Sequence, residues 1–250
     1  MDHCMQQFFN VCLEFDHQLL RQKIERSIDG HRKGYVCVVD ANVLTIAQKD
    51  LHFREVLNKS LTNTCDGSSI ATLAGMIHKK PFRALNGPDL FAHYIKKPYR
   101  QLLLGCNKDV GTAIKDKLSE QSLGNSHIHV MPLPFSSVEE FAYQGIANAI
   151  NELNPDIIWV SLGAPKQELF MARLLPFLKK GVMFGIGAAF NFYLGKIALP
   201  VVGIGGLKFI WVSRIFSEPS KQIRRVLPYL GILPKLYFHE WRKYRRDNYL

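Results

Sequence analysis

The sequence lacks most of the features that mark secreted, metal-dependent or nucleotide-loop proteins. Only five cysteines occur in 250 residues, at positions 4, 12, 37, 65 and 106 with no C-x-x-C spacing, so no disulfide framework is expected and a reducing compartment fits best. Asp2, Glu14 and Asp16 interrupt what would have to be a signal peptide, and the mature chain is expected to start near Met1. The most apolar stretch, Leu199 to Val212, contains Lys208 and is shorter than the roughly 20 residues that cross a bilayer. No transmembrane helix is therefore expected. There is no G-x-x-x-x-G-K-[ST] loop and no G-x-S-x-G elbow, which argues against a P-loop kinase or a serine hydrolase. No Asp-x-Asp pair is present to hold a metal diphosphate, and Gly185-Ile186-Gly187 and Gly203-Ile204-Gly205-Gly206 do not complete a dinucleotide fingerprint. His127 and His129 share one strand face but have no evident third ligand. Neither a metal nor a cofactor is expected. Internal repeats and low-complexity segments are also absent.

What the chain does have is an apolar content of 47%, enough for a full core, and a net charge of +11 from 32 Lys and Arg against 21 Asp and Glu. Residues 196–250 carry eleven of those basic residues and three of the acids, so most of the excess lies in the tail. There Ile223, Leu227, Leu236, Tyr237, Phe238 and Trp241 alternate with basic groups, and Pro228 and Pro234 break the segment into short helices. Basic residues beside aromatics suit an anionic membrane surface. The plainer alternative is a terminal helix packed on its own domain with a solvated basic face. Nucleic acid is not favoured, since no nucleic-acid motif accompanies the charge.

Along the chain, residues 1–30 read as a helical extension ending at Asp29-Gly30, and Tyr35 to Val39 as a buried strand. Residues 43–61 have helical spacing, and Thr64 to Ser69 read as a turn before a further helix through Met76. Strands are then expected at Gln101–Leu104, His127–Val130, Ile157–Val160 and Val182–Ile186, with helices at Val110–Leu118, Val138–Leu153 and from the Gly163 loop to about Leu178. This alternation predicts an α/β, Rossmann-like core with a mainly parallel sheet over residues 1–195, followed by a helical basic appendage over 196–250. Ligands of such sheets sit beyond the carboxyl ends of the strands, where the Asp40, Gly105 and Gly163 loops gather.

Several residues there are suited to chemistry. Asp66 opens a Gly- and Ser-containing turn in which a carboxylate can take a proton, although Asp-Gly is also an ordinary turn. Asp89, in Asn86-Gly87-Pro88-Asp89-Leu90, can cap a following helix, and Arg83 nearby can pair with a phosphate. The loop Gly163-Ala164-Pro165-Lys166-Gln167-Glu168 sets a cation, an amide and an acid at a strand-to-helix turn whose amides favour anions. Lys166 there suits a phosphate, and Gln167 and Glu168 suit sugar or base hydroxyls. A merely polar helix start explains it equally.

As an ordered set these segments resemble the WecG/TagA/CpsF glycosyltransferase family over most of residues 35–225. The resemblance rests on Asp40-Ala41-Asn42, Cys65-Asp66-Gly67, Arg83 with Asn86 to Leu90, Leu103-Leu104-Gly105, Pro155-Asp156-Ile157, Leu162 to Glu168, Gly185 to Phe190, and Ser217-Glu218-Pro219 with Arg224-Arg225. It implies metal-independent, inverting transfer from a UDP-sugar, of N-acetylmannosamine, its uronic acid or glucose type, to a polyprenyl-diphosphate-linked saccharide at the inner membrane face. By that similarity Asp66 is the general base. Asn42 and Arg83 position donor or acceptor, Gln167 and Glu168 contact the UDP-sugar, and Arg214, Arg224 and Arg225 reach lipid or donor diphosphate. The family pattern prefers threonine at Asp40, so this chain has a second carboxylate that can raise the pKa of Asp66 or take over as base. A homo-oligomer stays open, as does a non-catalytic basic module that binds nucleic acid or an anionic membrane.

Overall fold

The computed structural model describes residues 6–197, 203–204, 207–208, 232 and 234–247. Arg214, Arg224 and Arg225 lie outside the described residues.

The described residues open with a strand pair, β1 (Gln7–Phe8) and β2 (Val11–Cys12), so the first thirty residues are not the continuous helix that the sequence suggests. Phe9 and Asn10 adopt left-handed backbone, φ 55° and 63°, which matches the tight turn of a hairpin and cannot continue a helix. Helix α1 (His17–Asp29) follows, started by Asp16, whose carboxylate accepts from the backbone N–H groups of Gln18 and Leu19.

Strand β3 (Lys33–Val39) is buried on both sides from Gly34 to Val39, an apolar run such as a central parallel strand requires. The expected helix over 43–61 is two helices, α2 (Ala41–Lys49) and α3 (Leu51–Asn58), because Asp50 turns extended and caps the second through Phe53 N. Strand β4 (Thr62–Cys65) is not expected from the sequence, and its last two residues fall in the stretch Thr64 to Ser69 that reads as a turn. Its polar side chains are satisfied internally: Asn63 Nδ2 donates to Cys12 O and Leu57 O, both at 2.8 Å, and Thr64 Oγ1 donates to Leu85 O.

Helices α4 (Ser68–His78) and α5 (Gly87–Tyr94) precede β5 (Gln101–Leu104), and α6 (Lys108–Glu120) leads to β6 (Ile128–Met131). Helix α7 (Tyr143–Leu153) starts five residues later than its pattern suggests, after a turn in which Tyr143 Oη donates to Val138 O. The core then runs through β7 (Ile157–Val160), α8 (Lys166–Leu174), β8 (Gly181–Gly185) and α9 (Ala189–Tyr193). A short antiparallel pair, β9 (Gly203–Ile204) with β10 (Leu207–Lys208), and a helix α10 over 234–247 follow.

Six strands form one fully parallel sheet in the order β4-β3-β8-β7-β5-β6. Side chains alternate between two cores: Tyr35, Cys37 and Val39 face the layer of α2, α3, α4, α7 and α8, while Val36 and Val38 face that of α1, α5, α6 and α9. This is the Rossmann-like α/β architecture expected from the sequence. The chain changes layers between α4 and α5 by running past the edge of β4, where Leu85 N donates to Cys65 O. Glu14 pairs with Thr64 along β4, so backbone that would invite another strand is covered.

Helix α10 is docked on the body. Leu236 is buried in the same core as α4, and Ile232, Tyr237, Trp241 and Tyr244 pack against it. Arg242, Arg245 and Arg246 remain exposed on its outer side. Among the described cysteines, Cys37, Cys65 and Cys106 are free and buried and Cys12 is disulfide-bonded.

Candidate active site

Because all six strands run in one direction, their carboxyl ends share one edge of the sheet. Asp40 follows β3, Asp66 follows β4, Gly105 follows β5, Ser161 to Pro165 follow β7, and Ile186 to Ala188 follow β8. The chain leaves β3 and β7 toward one helical layer and β8 and β5 toward the other. Neighbouring connections therefore part above the centre of the sheet, which opens a crevice there.

Asp40 and Asp66 end adjacent strands, and Asp66 N donates to Val39 O at 2.8 Å. Asp40 Oδ1 accepts from Val43 N at 2.8 Å, so this carboxylate caps α2. Asp66 precedes Gly67, whose φ of +125° only glycine adopts readily, and α4 begins there without a side-chain cap. Asp40, Asn42 and Asp66 are all half-buried. Burial pushes the Cys65 thiol up, and the charges of Asp66 and Asp40 push it further. Glu168 is pushed up to about 7 by burial, opposed by its hydrogen bond from Gln167 and reinforced by Asp40. Asp40 thus acts on both Cys65 and Glu168.

The start of α5 closes over this region. A Cβ on Gly87 would stand 3.5 Å from Val38 Cγ1 and 3.6 Å from Ile186 O, so the helix meets the ends of β3 and β8. Asn86, not Asp89, caps α5: its Oδ1 accepts from Asp89 N at 2.9 Å, and Asp89 stands exposed in the first turn. Arg83 is exposed, with its carbonyl oxygen 3.2 Å from His17 Nε2.

The Gly163 to Glu168 loop departs most from expectation. The Lys166 ammonium donates to Ser136 O and lies over the rings of Phe135 and Phe141, at 5.4 and 5.2 Å. That cation is committed to the loop after β6. Gln167 is 4% exposed and Glu168 is fully buried, so neither presents the ligand-facing side chain that the resemblance implies. Gln167 Oε1 instead accepts from Gly163 N and Gly187 N. The sequence assigns no role to Ser161 and reads Gly187 only within an incomplete glycine fingerprint and the family resemblance. Ser161 Oγ donates to Gly187 O at 2.7 Å, and the signal for Gly187 was its place in a glycine pair, explained by a φ of +51°.

A cavity of about 1050 Å³ lies elsewhere, between α1, the N-terminal strands and the start of β4. It is lined by Arg26, Arg32, Lys33, Ser60 and Thr62 among others, and Lys33 is spent on the carbonyls of Pro176 and Leu178. The carboxylates and glycine loops meet instead at the strand ends. Among the described residues, no group of three or more His, Cys, Asp or Glu is arranged to hold a metal ion, and no helix is long and apolar enough to cross a membrane.

The chain is similar to known proteins over most of its length. A model of the Glycosyl transferase WecG/TagA/CpsF family matches residues 10–247. An N-acetylglucosaminyldiphosphoundecaprenol N-acetyl-beta-D-mannosaminyltransferase of Bacillus subtilis strain 168 is 24% identical over 196 residues, covering 77% of this chain and 75% of its own. The protein of the same name from Bacillus spizizenii strain W23 is 21% identical over 204 residues, covering 80% and 77%.

Proposed function

The chain belongs to the WecG/TagA/CpsF glycosyl transferase family, and from that premise we propose that it moves a sugar from a UDP-sugar to a polyprenyl-diphosphate-linked saccharide with inversion. The observation that carries the reading is the pairing of Asp66 with Asp40 at the ends of adjacent parallel strands, beside the glycine loops after β7 and β8. Asp66 is the general base that takes the acceptor hydroxyl proton as the oxygen attacks the anomeric carbon. Asp40, with Oδ1 held by the α2 amide, stands beside that base. Asn42, Arg83, Asp89 and Gly105 line the approach, and Arg214, Arg224 and Arg225 steady the departing diphosphate.

The names of the relatives support an N-acetylmannosamine-type donor, ahead of its uronic acid or a glucose type, and an undecaprenyl-diphosphate-linked acceptor. The exposed Arg242, Arg245 and Arg246 suit attachment to the anionic cytoplasmic face of the inner membrane. The test is UDP release by the purified protein. It should require both a UDP-sugar and a lipid-diphosphate acceptor; release without the acceptor, or none with any donor of the three types, overturns the reading.

A further inference from the structure

One side chain ties together the loops after β7 and β8. Gln167 Oε1 accepts from Gly163 N at 3.2 Å and from Gly187 N at 3.0 Å. Its amide nitrogen donates to Glu168 Oε1 at 2.9 Å. Glu168 is fully buried beside Cys37 and Asp40, and its Oε2 has no hydrogen-bond partner. A side chain so enclosed cannot touch a ligand in the crevice, yet an acid there has a large desolvation cost and is not explained by packing.

Its hydrogen bond explains it. A carboxamide can turn over and exchange its oxygen with its nitrogen, but only one orientation serves two backbone donors. With the oxygen toward Gly163 and Gly187, the nitrogen needs an acceptor behind it, and Glu168 supplies one. The reversed amide would aim N–H at N–H on both glycines and at no acceptor.

From this geometry we propose that Glu168 is a positioning residue: acting through Gln167, it fixes the separation of the Gly163 and Gly187 loops that receive the donor diphosphate, and it does not touch substrate. The ligand named here rests on the glycosyltransferase reading; the strut between the loops does not.

Glu168→Gln and Glu168→Leu test it. Glutamine still offers an oxygen to the Gln167 amide, and leucine offers nothing. In Glu168→Leu the Gly163 and Gly187 amides should exchange their hydrogens at least tenfold faster by NMR, with amides of β7 unchanged. UDP should bind about tenfold more weakly by calorimetry, and KM for the donor should rise more than kcat falls. Glu168→Gln should restore all three. Unchanged exchange at both glycines in a folded Glu168→Leu overturns the strut. So does Glu168→Gln losing the protection, a result that can be read even if the leucine variant does not fold. Faster exchange in Glu168→Leu together with no UDP binding by the wild type upholds the strut and overturns the donor reading.

Discussion

His78 Nε2 lies 3.0 Å from Glu240 Oε1, although 162 positions separate the two residues. The other Glu240 oxygen accepts from Phe9 N at 2.9 Å, so one carboxylate joins α4, the N-terminal strand pair and α10. Glu240 is 1% exposed, which makes the joint a buried one. Glu240→Ala should cost about 3–5 kcal/mol, because a donor and an imidazole are left without their partner. Urea unfolding measures this, and Glu240→Gln, which keeps an acceptor, should lose less.

Asp66→Asn should lower UDP release by about 10²–10⁴-fold with the melting temperature unchanged, as expected for loss of a general base. Asp40→Asn keeps the α2 cap, since Asn and Asp cap equally well, and should retain most activity. Asp40→Ala should cost about 1 kcal/mol of stability. Full activity in Asp66→Asn with a collapse in Asp40→Asn would transfer the base to Asp40.

Burial raises Glu168 from 4.5 to about 7, so between those values the folded chain binds a proton that the unfolded chain has released. Stability should therefore fall as pH rises through that window, by on the order of 3 kcal/mol at about 1.4 kcal/mol per pKa unit. Glu168→Gln does not titrate. Denaturation series at pH 5 and pH 8 should show the wild type losing more than this variant.

Gly105 has φ +84°, and a Cβ there would stand 3.0 Å from Leu162 Cδ2 and 3.3 Å from Ser161 O. Gly105→Ala should be destabilised by about 1–3 kcal/mol and should displace the loop after β7. Thermal unfolding and donor KM should both report it.

Arg242, Arg245 and Arg246 lie exposed on the far side of a helix whose near side is packed, and Arg245 lies 4.9 Å over the Trp241 ring. Replacing all three with Gln should weaken association with anionic vesicles by about 100-fold, at roughly 1 kcal/mol per basic residue near the surface. The melting temperature should hold, and neutral vesicles should show no difference.

Legibility from sequence followed where the chain spends its apolar residues. Strand β3 announces itself because Tyr35 to Val39 is buried on both faces and must be apolar throughout. Strand β4 does not, because Thr62, Asn63 and Thr64 have loop chemistry, and only the surrounding carbonyls make them tolerable in a core. A residue such as Asp50 reads as one more polar position on a helix until its extended backbone divides that helix in two. At the site, the expected strand ends gather the Asp40, Gly105 and Gly163 loops, and the sheet has these loops on one edge; Asp66 joins that edge only through β4, whose sequence does not read as a strand. The burial of Glu168 was hidden, because an acid in a polar motif looks like a ligand contact, and the contacts that enclose it come from distant β3.

The joint between Phe9 and Glu240 also sets an order on synthesis. The first strand pair leaves the ribosome early, but its buried amide has no acceptor until residue 240 has been made. A nascent or prematurely stopped chain would leave exposed the His78 ring that Tyr244 and Glu240 of α10 cover.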